Sequence, residues 1–82
     1  MTTDVMKDDI RDYIKKSILK NDSATVHNDT PLISGGVIDS ISTLQLVDFL
    51  EKKFKIEFQP HEVDRENLDS IDLIAAFLSS KI

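Results

Sequence analysis

A chain of 82 residues, 40% of them hydrophobic and 30% charged, fits one small domain spanning 1–82, near the lower limit at which a core sustains itself. Its net charge of −5 argues against nucleic acid as a partner and towards basic protein surfaces. No apolar run is long enough to cross a bilayer, and without cysteine there is neither a disulfide framework nor a thiolate metal site.

Met6, Ile10, Tyr13, Ile14, Ser17 and Ile18 recur at helical spacing and predict a first helix from about residue 3 to 20. Asp4, Asp8 and Asp9 lie towards its start and Lys15, Lys16 and Lys20 towards its end, a gradient that complements the helix dipole. From Asn21 to Asp39 no period is sustained. Loops of this length in small domains are usually functional or disordered. Here Leu32 and Ile33, preceded by Pro31, are expected to pin the loop to the rest of the fold. Gly35-Gly36 suits a turn and would also let a bulky partner approach closely. Val37 and Ile38 bring the chain back to the next helix.

That helix, about 40–54, opens on Asp39-Ser40. Asp39 is a candidate N-cap, its carboxylate accepting from the amides of the first turn. Ser40 then sits at the first helical position, with its hydroxyl outward at the positive end of the dipole, where an attached phosphate is favoured. An Asp-Ser pair alone does no more than start a helix. On a helical wheel, however, Thr43, Leu46, Val47, Leu50 and Phe54 form the core side, while Ile41 and Leu44 fall opposite, beside Gln45, Asp48 and Lys52. Two exposed aliphatic residues one turn apart, next to the serine, predict a contact surface beside a modifiable hydroxyl. Ile41, Leu44, Gln45 and Asp48 are its candidate partner-binding residues.

The stretch Val37-Ile38-Asp39-Ser40-Ile41 resembles the attachment region of the acyl carrier proteins, in which an Asp-Ser-Leu or Asp-Ser-Ile core opens the second helix of a four-helix bundle. Leu50-Glu51-Lys52-Lys53-Phe54 and then Ile56 continue the likeness, which covers most of the chain. The resemblance implies that Ser40 carries 4′-phosphopantetheine through a phosphodiester. It implies that Asp39 helps present Ser40 to the magnesium site of a phosphopantetheinyl transferase. Acyl or aminoacyl groups would be held as thioesters on the arm's thiol, a sulfur that this cysteine-free chain must import. The implied partners are that transferase, an acyl or aminoacyl ligase, and acyltransferases or synthases. The chain itself would be a non-catalytic phosphoprotein, expected as a cytoplasmic monomer; Met1-Thr2-Thr3-Asp4 does not begin a signal peptide.

After the second helix, Lys55-Ile56-Glu57-Phe58 alternates like a strand but has no pairing partner, which predicts an extended linker with Ile56 and Phe58 in the core. Pro60 suits the first position of a short helix, about 60–64, and Leu68 anchors the turn that follows. Asp69-Ser70 caps a last helix, about 70–80, with Ile71, Ile74, Ala75 and Leu78 inward. Asp69-Ser70-Ile71 repeats the Asp-Ser-Ile triplet, and reads as a structural cap only. The fold class is all-α: three main helices and one short one, with a long loop after the first. Loop length alone lets the first two helices run in either relative direction, and the resemblance implies antiparallel.

Other chemistry finds little support. His27 and His61 lack neighbours at metal-ligand spacing, and Asn21-Asp22-Ser23 and Asn28-Asp29-Thr30 lack the calcium-loop pattern. Nothing resembles a nucleophile elbow. Phe54, Phe58 and Phe77 are core fillers. The second helix is of mixed charge, with Gln45, Asp48 and Glu51 followed by Lys52 and Lys53, unlike the strongly acidic helix of fatty-acid-synthesis carriers. Glu66-Asn67-Leu68-Asp69-Ser70-Ile71 is more similar to stand-alone aminoacyl or specialised carriers, including the D-alanyl carrier proteins. The expectation is a dedicated pathway of lipid or secondary-metabolite biosynthesis with its own ligase. The rival from another class is an unmodified helical interaction module that uses the Ile41 and Leu44 patch.

Overall fold

The structure, a computed structural model, describes residues 3–21 and 23–81. Its helices are α1 (Thr3–Tyr13), continued by a π-helical turn (Ile14–Ile18), α2 (Ser40–Phe54), α3 (Arg65–Leu68) and α4 (Ile71–Lys81), with a 3-10 turn at Pro60–Glu62. The fold is all-α, and no strand occurs among the described residues.

Met6, Ile10 and Ile14 are buried at four-residue intervals, which fixes the inward side of α1. The expected helix to Lys20 does not stay α-helical. At Ile14 the spacing widens, so that the Leu19 N–H donates to the Ile14 carbonyl at 2.8 Å. The wider turn keeps both Ile18 and Leu19 packed against the core. Lys20 then adopts a left-handed φ of 52°, and the Asn21 N–H closes the end on the Lys15 carbonyl at 2.8 Å.

α1 and α2 run antiparallel, as the contacts along them show. Asp9 approaches Lys53 at 3.9 Å, and the Tyr13 ring stacks on Phe49 with centroids 4.1 Å apart. The Tyr13 hydroxyl donates to the Gln45 carbonyl at 3.2 Å, so partners descend along α2 as numbers rise along α1. Thr43, Leu46, Val47 and Leu50 are the buried residues of α2, while Phe54 is half-buried at the edge. Lys55 ends α2 in a left-handed conformation, and the Ile56 N–H donates back to the Glu51 carbonyl at 3.2 Å. The Glu51 carboxylate takes the Phe58 N–H at 2.8 Å, which steers Phe58 into the core against Phe77, 4.9 Å away.

The expected helix over 60–64 does not form as such, and a separate short helix lies beyond it, where the sequence predicts a turn anchored by Leu68. Pro60 starts only a 3-10 turn, which the Glu62 carboxylate closes by accepting the Gln59 N–H at 2.7 Å. Glu62 also pairs with Lys81 of α4 at 2.8 Å. That pairing, ahead of the Gln59 amide, holds its carboxyl below the usual range. Helical structure resumes after Asp64, whose carboxylate accepts the Asn67 N–H at 3.1 Å and caps α3. Leu68, the last residue of α3, is fully buried.

Leu50 is fully buried at the centre of α2's core side, so Leu50→Ala should cost on the order of 2–5 kcal/mol. In a chain this small, thermal melts should then show a midpoint lowered by more than about 10 °C. A shift of one or two degrees would mean that the site collapses around the missing atoms.

Candidate modification site at the head of α2

Asp39 is in extended conformation, with φ −100° and ψ −172°, and its carboxylate accepts the Ser42 N–H at 2.8 Å. Its carbonyl accepts both the Thr43 N–H at 2.8 Å and the Thr43 hydroxyl at 2.7 Å. The cap therefore holds the first turn from both ends of one residue. The Ser42 amide, with the Ser42 hydroxyl adding to it, lowers the Asp39 pKa below the usual carboxylate value. Ser40 follows at the first helical position, exposed, and its hydroxyl has no hydrogen-bond partner among the described residues.

Ile41 and Leu44 project into solvent at 69% and 63% exposure, beside the serine. Gln45 and Asp48 continue the same side of the helix, both exposed. The Asp48 carboxylate is paired with Lys52 at 3.0 Å, so this surface is close to neutral.

The loop before α2 is docked by two side chains, Arg11 and Asp69, and by the Asp72 backbone amide. Arg11 donates to the Val26 carbonyl at 2.9 Å and to the Asn28 side chain, while the Asp72 N–H donates to the Asn28 carbonyl at 2.9 Å. Asp69 holds the next segment. Its carboxylate accepts the Ile33 N–H at 2.8 Å, the Ser34 N–H at 2.9 Å and the Ser34 hydroxyl at 2.6 Å. Its carbonyl takes the Leu32 N–H at 2.6 Å. The Ser34 hydroxyl, then the Ser34 and Ile33 amides, lower the Asp69 pKa, and the charge of Arg65 adds to them. Ser70 alone, of the expected Asp69-Ser70 cap, serves α4, its hydroxyl accepting the Leu73 N–H at 3.1 Å.

Val26, Leu32 and Ile38, all within this loop, are buried. Gly35 is required in the turn that follows, because a Cβ there would lie 2.2 Å from the Pro31 carbonyl oxygen. Gly36 takes a φ of 75°, where a side chain is strained. The Ile38 N–H reaches the Leu32 carbonyl at 3.0 Å and delivers the chain to Asp39.

The result is an open groove of about 550 Å³ beside Ser40. It is lined by Ser40 and Leu44 of α2, by Ile33 of the loop, and by Val63, Asp64 and Arg65 at the start of α3. The sequence marks the α2 residues of this lining but not Val63, Asp64 and Arg65. The N-cap signature of Asp64, followed by Glu66 in the first turn, could have located α3 but not shown that it lines the same groove as Ser40. His27 and His61 are both exposed, and among the described residues no three of His, Asp and Glu come together to hold a metal.

A family model described as the phosphopantetheine attachment site matches residues 8–78. The chain belongs to that family. The D-alanyl carrier protein of Lactococcus lactis subsp. cremoris strain MG1363 is 34% identical over 76 residues, which cover 93% of this chain and 95% of that protein. Its counterpart in L. lactis subsp. lactis strain IL1403 is 33% identical with the same coverage. In fold, the chain is similar to one in a crystal structure described as that of an FAD-dependent dehydrogenase, with a TM-score of 0.76 and 22% identity, covering 84% of this chain and 97% of the other.

As a member of this family, the chain is a carrier that works through covalently attached 4′-phosphopantetheine. The head of α2 fits such a group: the Ser40 hydroxyl faces solvent unpartnered, at the positive end of a 15-residue helix, and opens on a groove. Nothing buried has to move to receive it.

Asp69 gives a test of how the loop is held. Folding lowers its pKa, so its stabilisation is complete above the ordinary aspartate range and is lost as pH falls through the folded value. Asp69→Asn should therefore melt below wild type at about pH 7, with the gap narrowing at a pH below the ordinary aspartate range. An equal gap at both pH values would show that charge on Asp69 is not what holds the loop.

Proposed function

We propose that Ser40 carries the phosphopantetheine arm and that the chain is a stand-alone carrier of small acyl or aminoacyl groups. The observation that carries this reading is the unpartnered, exposed Ser40 hydroxyl behind the Asp39 cap, inside the span matched by the family model. The arm's terminal thiol supplies the thioester linkage, chemistry for which this cysteine-free chain has no group of its own. The protein's residues present and position the arm. Asp39 fixes the first turn of α2 and so the direction in which Ser40 faces a phosphopantetheinyl transferase. In this reading the chain is not an enzyme.

The identity to D-alanyl carrier proteins over 93% of the chain favours a D-alanyl or similar aminoacyl cargo and a dedicated ligase that loads it. A near-neutral docking helix supports a specialised set of partners more than one matched to strongly basic patches. Ile41, Leu44, Gln45 and Asp48 form the proposed docking surface. No described helix is long and apolar enough to cross a membrane, and we place the carrier in the cytoplasm with its ligase.

Incubation with coenzyme A and a broad-specificity phosphopantetheinyl transferase should add one arm to the wild type by intact-mass analysis. Ser40→Ala should gain none while keeping its helical circular dichroism. Modification mapped to Ser42 or Ser70 would sink the assignment. A modified protein that a D-alanine ligase fails to charge would remove the cargo but leave the attachment standing.

Leu44 separates docking from folding. Because it is exposed, Leu44→Ala should change stability by less than about 0.5 kcal/mol. Buried at an interface, the same side chain could contribute more than about 1 kcal/mol to binding. The expected outcome is an unchanged melt and a several-fold higher KM for the loading or charging enzyme, only mildly dependent on salt. Unaltered kinetics with every partner would overturn this surface.

A further inference from the structure

We propose that the Arg65 guanidinium is the counter-charge for the phosphodiester on Ser40 and seats the first part of the arm in the groove between α2 and α3. The inference rests on attachment at Ser40.

Arg65 lines the same groove as the serine and is its one cation among the described lining residues. The other charged groups there, Asp39 and Asp64, are carboxylates, each already capping a helix. A phosphodiester at Ser40 adds a further negative charge to that acidic rim. The dipole of α2 offsets part of the repulsion, but only within the first turn. Arg65 is free to offset the rest, since its guanidinium makes no hydrogen bond or ion pair with another described residue. Its charge does reach Asp69, whose carboxylate is already met by three donors from Ile33 and Ser34. The planar fork of arginine matches two phosphate oxygens at once, which a lysine ammonium cannot do. Beyond the phosphate, Leu44, Val63 and Ile33 would offer apolar surface to the arm.

The test uses the loaded full chain, with attachment first mapped to Ser40 by mass. Three measurements follow: the 15Nε shift of Arg65 before and after loading, the 31P line width of the phosphodiester, and the salt dependence of both. Loading should shift the Arg65 Nε resonance. The 31P line should be broader in wild type than in Arg65→Gln, with Arg65→Lys between them. Raising salt to about 0.5 M should reduce the difference, since the pair is exposed. Melts of the variants at neutral pH should confirm that the fold is kept, and a variant that loses it is replaced by the Nε measurement on wild type. An unshifted Nε, or equal line widths in fully loaded wild type and Arg65→Gln, would overturn the role of Arg65 and leave attachment intact. Failure to find the arm on Ser40 would overturn both.

Discussion

The carboxylate of Asp69 holds the irregular segment that precedes α2. Irregular backbone can cover a core only if its amides find partners, and the segment Leu32-Ile33-Ser34 has no helix or strand to supply them. Asp69 supplies acceptors for all three residues, through its side chain and its own carbonyl. Leu32 can therefore be buried completely, and Ile33 can stand as a wall of the groove beside Ser40. The turn between α3 and α4 thus sets the position of a loop more than thirty residues earlier in the chain. With Val26, Leu32 and Ile38 buried, the loop is a layer of the core and not a cover over it.

The head of α2 divides its work between neighbouring residues. Asp39 turns back to the amides and satisfies the helix start, which leaves the Ser40 hydroxyl with no structural task. If the arm is attached at Ser40 as proposed, a hydroxyl engaged in the cap would have to give up that bond, and the helix would lose stability on loading. Charge is divided in the same way. The chain is acidic overall, yet Lys52 neutralises Asp48 on the surface beside the serine, so the apolar residues Ile41 and Leu44 dominate it.

Most of this could be read from sequence where the cause is local. The cap at Asp39, the buried side of α2 and the exposure of Ile41 and Leu44 follow from residue type and helical period. The antiparallel course of α1 and α2 came from family resemblance, since a long loop imposes no direction. What could not be read depends on residues distant in sequence. Asp69 looks like a second cap because its loop partners lie 35 and 36 residues away. Val26 stands alone among polar neighbours, so no period marks it as buried. The π-helical turn after Tyr13 reflects how Ile18 and Leu19 meet the rest of the core, which a wheel of fixed angle cannot represent.

The stacking of Tyr13 on Phe49 makes the molecule report on itself. Tyr13 is the only tyrosine in a chain without tryptophan, so near-ultraviolet absorption and emission come mainly from this one contact between α1 and α2. Far-ultraviolet signal, by contrast, sums over every helix. The two spectroscopic windows therefore view one helix pair and the whole backbone separately, and their coincidence or divergence on heating distinguishes a concerted transition from stepwise loosening. No label or engineered chromophore is needed to see it.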